Sequence, residues 1–103
     1  MFVALCAFAI AATSQAAGDA ATLQVRSLAA NCAACHGTEG RAVEGAGMVA
    51  LAGYPKAALI AQMQAFRDGD RSATVMQQIA RGYTDQQIET LATYFAAQPA
   101  SRR

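Results

Sequence analysis

Apolar residues in the second half of this chain recur three and four positions apart, separated by short glycine-bearing stretches, which predicts helices and not strands. Leu59, Met63 and Phe66 fall on one face of a helix that opens near Pro55, a residue suited to a first turn, and closes at Asp68-Gly69-Asp70. Ile88, Leu91, Ala92 and Phe95 repeat at the same spacing on a last helix, which begins at the capping-box sequence Thr84-Asp85-Gln86-Gln87 and stops before Pro99. A short helical stretch from about Val75 to Arg81, closed by Gly82, is expected between them. Nearer the amino terminus, an alanine-rich run from Asp19 or Ala20 to the Cys32 region reads as a first helix with Leu23, Leu28 and Ala29 toward the core. Gly37 to Gly53 carries five glycines and no period, as expected where backbone must pass close to a flat ligand. The expected architecture is therefore all-α, with about four helices.

The first residues follow a different rule. Phe2 to Ala12 is an uncharged apolar run, and Ser14 and Ala16 in the following Thr13-Ser14-Gln15-Ala16-Ala17 fit the small-residue cleavage pattern of a secretory leader. The expectation is a signal peptide over residues 1–16, cleaved after Ala16, and one domain over residues 17–103 exported to the periplasm. No Lys or Arg precedes the apolar run, which departs from the usual leader; the run is also too short to span a membrane. Cys6 lies inside the apolar segment and reads as a discarded hydrophobe, not a lipid-bearing cysteine.

All eight Lys or Arg and all seven Asp or Glu follow residue 16, so the expected mature chain keeps a balance near +1, which excludes a strongly basic nucleic-acid binder. Arg102 and Arg103 read as a solvated tail.

Candidate chemistry is concentrated in Asn31-Cys32-Ala33-Ala34-Cys35-His36. C-x-x-C-H is the attachment signature of c-type haem: two cysteines three apart reach the two vinyl groups of one porphyrin edge, and the next histidine is held beneath the iron. A thioredoxin-like pair would want a preceding strand, and the residues before Cys32 read as helix. A structural zinc site usually wants four ligands, more than this region offers without Cys6. One covalently attached haem c is thus expected, with Cys32 and Cys35 as thioether anchors and His36 as proximal ligand, the helices wrapping around it. Apoprotein of this size should fold poorly.

The chain holds no second histidine, so the sixth ligand falls to methionine. Met63 lines up with Leu59 and Phe66 and reads as core. Met48 lies in the apolar loop soon after the proximal side, whereas Met76 follows a long excursion and opens a short helix that would hold it on the distal face. Met76 is the expected distal ligand. An iron without Met76 would instead mark a sensor or enzyme that binds small ligands directly.

The haem motif, Leu51-Ala52-Gly53, the helix ending Phe66-Arg67-Asp68-Gly69, Met76 and Leu91-Ala92-Thr93-Tyr94-Phe95 together resemble class I c-type cytochromes of the c4 and c553 group. The segment Ser72 to Thr84, with Tyr83 after Ala80-Arg81-Gly82, is particularly similar to the cytochrome subunit of flavocytochrome c sulfide dehydrogenase; free c4 and c553 relatives more often carry leucine at the place of Tyr83. Some such subunits carry two haems, and this chain has a site for one. The resemblance implies that a separate flavoprotein subunit, holding FAD, oxidises sulfide, while this chain takes its electrons and releases them to a soluble acceptor such as another cytochrome. No catalytic residue for sulfide would sit here. Tyr54, Arg67 and Arg71 are candidate contacts for the haem propionates, with packing, salt-bridging or capping as their ordinary alternatives.

With one lysine and scattered charges, the chain lacks the single-signed ring that steers many diffusing carriers. Its loop Ala46 to Ala52 is apolar, which suits either a lasting interface with a flavoprotein or simple packing over the porphyrin. The alternative function is a free-standing periplasmic shuttle of the c553 or c4 kind.

Overall fold

The computed structural model describes residues 6–100, with side chains from Gln15 onward; the start of the expected leader and the tail residues Arg102 and Arg103 lie outside the described residues. Four α-helices follow one another: α1 (Cys6–His36), α2 (Lys56–Asp68), α3 (Met76–Ala80) and α4 (Asp85–Ala96), with a single 3-10 turn at Thr38–Gly40. No strand occurs among the described residues. No described helix is long and apolar enough to cross a membrane.

Helix α1 starts well before the expected Asp19, because nothing in this alanine-rich stretch breaks it: proline is absent, and Gly18 in the interior costs only about 1 kcal/mol relative to alanine. Every residue from Gln15 to Gln24 is exposed. Leu23 is the correction here, since 66% of its surface remains exposed where a core contact was expected. Val25, four residues before the buried Ala29, occupies the inward stripe with Leu28 and Cys32, and Leu23 falls off that stripe.

The later helices keep to the periodicity of the chain. Ile88, Leu91, Ala92 and Phe95 on α4 are all buried, and with Ala29 of α1 and Leu59 of α2 most of them form one core against which Met63, Ile60, Leu51 and Tyr54 pack. Alanines at 29 and 92 let α1 and α4 approach closely. Helix α4 is closed at its start by a complete capping box: the Thr84 hydroxyl accepts from the Gln87 N–H at 3.2 Å, and the Gln87 side chain accepts from the Thr84 N–H at 2.9 Å. Pro55 stands just before α2, and Gly69 ends it in the left-handed conformation at φ 82°.

The connection from His36 to Gly53 is pinned at Gly40. This residue is buried with φ 75°, and its carbonyl accepts from the N–H of Leu51 at 2.8 Å and of Ala52 at 3.1 Å, drawing the far end of the loop back under α4. The Gly53 N–H continues that seam by donating to the Phe95 carbonyl at 2.9 Å. Glu39, between the two arginines Arg41 (2.6 Å) and Arg26 (3.6 Å), ties the same turn to α1.

Candidate haem site

The last turn of α1 carries Cys32, Cys35 and His36. Helical geometry places residues three apart on one face, so both thiols rise from the same side of the helix; both are free, Cys32 half-buried and Cys35 exposed. Burial pushes the Cys32 thiol above its ordinary range. Such a pair, unjoined and facing one way, is what thioether attachment to a porphyrin edge requires.

His36 is oriented by backbone. Its Nδ1 lies 2.7 Å from the carbonyl oxygen of Val49, and because a carbonyl can only accept, Nδ1 carries the proton. The remaining nitrogen, Nε2, is then the one with a free lone pair for a metal. This bond also explains the shape of the loop: Gly40 pins Leu51 and Ala52, and the chain two residues earlier crosses the histidine ring. Sequence reasoning missed Val49, since a backbone carbonyl leaves no mark in residue type.

Met76 is the first residue of α3 and is half-buried, with Val75 before it 54% exposed. Met63 packs against the core, and Met48 is exposed in the loop. A loose set of apolar side chains stays in contact with solvent in this part of the chain: Val43, Met48, Val49, Val75 and Ile79. These belong to the segments that flank His36 and Met76, and a flat apolar cofactor would cover side chains of this kind. Two thiols and an imidazole with Nε2 available on one turn of α1 fit a covalently held haem. They do not fit a bare ion, for no three His, Cys, Asp or Glu side chains converge as a metal cage among the described residues.

The three residues expected near the propionates have definite partners. Arg67 pairs with Asp85 at 2.7 Å and with Asp68 at 3.6 Å, and the Asp85 hydrogen bond raises its already high pKa. Arg71 lies over the Phe66 ring, 4.8 Å from its centre, and donates to the Gln62 side chain. Tyr54 packs against the core. Arg67 therefore joins α2 to the start of α4, and Arg71 lies along the outside of α2.

Tyr83 lies in the turn before α4, half-buried against the core edge that also holds Cys32. Burial raises its phenol pKa, and a thiolate at Cys32 would add to the rise. The sequence marked Tyr83 as unusual but held no hint of its place at the edge of the core.

A family model described as cytochrome c matches residues 24–98. The match begins where α1 first touches the core and ends just past α4. Among curated proteins, the chain is 41% identical over 68 residues to a thiosulfate dehydrogenase electron acceptor of Thiomonas intermedia, which covers 66% of this chain and 31% of that protein. It is 34% identical over 68 residues to the cytochrome subunit of sulfide dehydrogenase of Chlorobaculum tepidum, covering 66% of this chain and 60% of the subunit. It is 34% identical over 85 residues to cytochrome c-554(548) of Halomonas halodenitrificans, covering 80% of this chain and 99% of that protein. The chain thus spans about a third of the first relative, three fifths of the second and nearly all of the third.

Proposed function

The chain belongs to the cytochrome c family, which implies covalently bound haem c and electron transfer, and from that premise we propose that it is the electron-carrying partner of a periplasmic sulfide-oxidising flavoprotein. One haem is held by Cys32 and Cys35 as thioethers, with His36 and Met76 as its axial ligands. The haem supplies a one-electron iron couple when bound. The chain's part is to hold it: α1 presents both sulfurs on one face, Val49 fixes the tautomer and plane of His36, and α3 offers a thioether, which favours the reduced metal and raises the potential. Tyr54, Arg67 and Arg71 remain the proposed propionate contacts, and for Arg67 that role competes with Asp85.

The observation that carries this reading is the Nδ1 contact of His36 with the Val49 carbonyl, beside two free thiols on the same helical turn. It leaves Nε2 as the metal-binding nitrogen, the arrangement a proximal ligand needs. The sulfide dehydrogenase assignment is supported by the likeness of the Ser72 to Thr84 segment and by the Chlorobaculum subunit among the relatives. Residues 1–16 are proposed as the cleaved leader, which makes the mature protein periplasmic.

A second reading, a free-standing shuttle, draws support from cytochrome c-554(548), a relative whose whole length this chain nearly spans. Mild isolation from native periplasm separates the two. A flavin-bearing partner that co-purifies and reduces the haem when sulfide is added supports the subunit; a lone small cytochrome, inert to sulfide, establishes the shuttle. The ligand set is tested by Met76→Ala, which is expected to abolish the methionine–iron charge-transfer band and lower the potential. An unchanged low-spin spectrum and potential would remove Met76 from the iron.

A further inference from the structure

Met76 stands at the end of a short connection that one side chain closes. The chain leaves α2 at Gly69 and enters α3 at Met76, and between them Ser72, Ala73 and Thr74 make no backbone hydrogen bond among the described residues. Arg71, at the start of this stretch, is fixed to α2 in three ways. Its N–H donates to the Ala65 carbonyl at 3.1 Å, its guanidinium lies 4.8 Å from the centre of the Phe66 ring, and the same group donates to the Gln62 side chain. The Arg71 carbonyl accepts from the side-chain amide of Gln77, six residues further on, at 3.1 Å. A carbonyl can only accept, so the amide nitrogen and not the amide oxygen faces it. Gln77 directly follows Met76, and its bond therefore ties the head of α3 to the end of α2 across the whole connection.

We propose that Gln77 is a positioning residue whose amide, bonded to the Arg71 carbonyl, closes the loop from Arg71 to Gln77 and so presents the Met76 sulfur to the iron. The inference rests on the His36/Met76 reading above. A thioether is a soft ligand and holds ferric iron less firmly than ferrous iron, so retention in the oxidised protein depends on how well the protein presents the sulfur. Without the closure, the cost of ordering the connection falls on the ligation itself. The bond favours ligation by the share of its free energy that is lost when the sulfur leaves. Packing of α3 against α2 holds the short helix as a body, whereas the Gln77 amide fixes its first turn.

The test uses oxidised holoprotein and imidazole as the competing ligand, following loss of the methionine–iron charge-transfer band in wild type, Gln77→Leu, Gln77→Glu and Gln78→Ala at neutral pH. Urea unfolding is measured on each. Gln77→Leu removes the donor, and Gln77→Glu turns a carboxylate, which can only accept, toward the carbonyl. Loss of one net hydrogen bond predicts that imidazole displaces the methionine about twofold to tenfold more readily in Gln77→Leu, and at least as readily in Gln77→Glu. Gln78 is exposed on the same short helix, and Gln78→Ala should keep the wild-type imidazole constant. If Gln77→Leu also keeps that constant, or its only effect is on the urea midpoint, the residue is merely structural and the proposal fails. An equal shift in Gln78→Ala overturns it as well, because the effect would then belong to α3 as a whole. Failure of the ligand assignment looks different: Met76→Ala would then keep the wild-type band.

Discussion

Replacing Gly40 with alanine should be among the most damaging single-methyl additions in this protein, and Gly45 provides its internal control. Both residues have nearly the same left-handed backbone, φ 75° at Gly40 and 79° at Gly45, so the conformational penalty of a Cβ is shared, at about 1–2 kcal/mol. Their surroundings differ. A Cβ at Gly45 meets nothing within 4 Å, whereas one at Gly40 lies 2.8 Å from the Ala52 nitrogen, 2.8 Å from the Leu51 Cβ and 2.9 Å from the Phe95 ring. Two of these three atoms belong to the seam whose N–H groups bond the Gly40 carbonyl, so relief by movement would loosen the loop that brings Val49 to His36. Overpacking of this kind adds about 1–3 kcal/mol. Gly45→Ala should thus lose about 1–2 kcal/mol and Gly40→Ala about 2–5 kcal/mol, a large share of the ~5–15 kcal/mol that holds a small domain folded. Urea unfolding of the two purified holoproteins measures the difference. Equal losses in the two variants would refute the packing argument, because the backbone term is common to both.

Phe95→Ala removes a ring that is 1% exposed at the junction of α1, α4 and the loop, and should cost about 3–5 kcal/mol in urea unfolding. Thr84→Ala deletes half of the capping box and should lower stability by about 1 kcal/mol, with Gln87→Ala added to it costing less than Gln87→Ala alone, as a double-mutant cycle would reveal. Arg67→Gln breaks the pairs with Asp85 and Asp68; its destabilisation should shrink as salt rises, and a salt-independent loss would point to packing instead. A Cys32→Ala/Cys35→Ala protein cannot anchor a porphyrin covalently and leaves Val49 and Val75 more than half exposed, so it should bind a hydrophobic dye and melt with low cooperativity.

The periodic segments were legible in the chain. Ile88, Leu91, Ala92 and Phe95 announce their burial through spacing, Thr84 and Gln87 announce the start of α4, and Gly69 announces the end of α2, because each of these is a local rule acting over one or two turns. Cys32, Cys35 and His36 were legible for the same reason: their joint chemistry depends on a spacing of three and four residues, which a helix converts into one face. Where the first helix begins, and which of its apolar residues turn inward, depended on contacts made elsewhere. Leu23 is as apolar as Leu28, but it falls off the stripe of α1 that the other helices cover and stays in solvent. The Val49 carbonyl and the partners of Arg67 and Arg71 had no local signature, since they join residues distant in sequence or use backbone atoms that every residue has. Residue type and short spacing supply the groups a site needs; the distances between them come from how the helices pack.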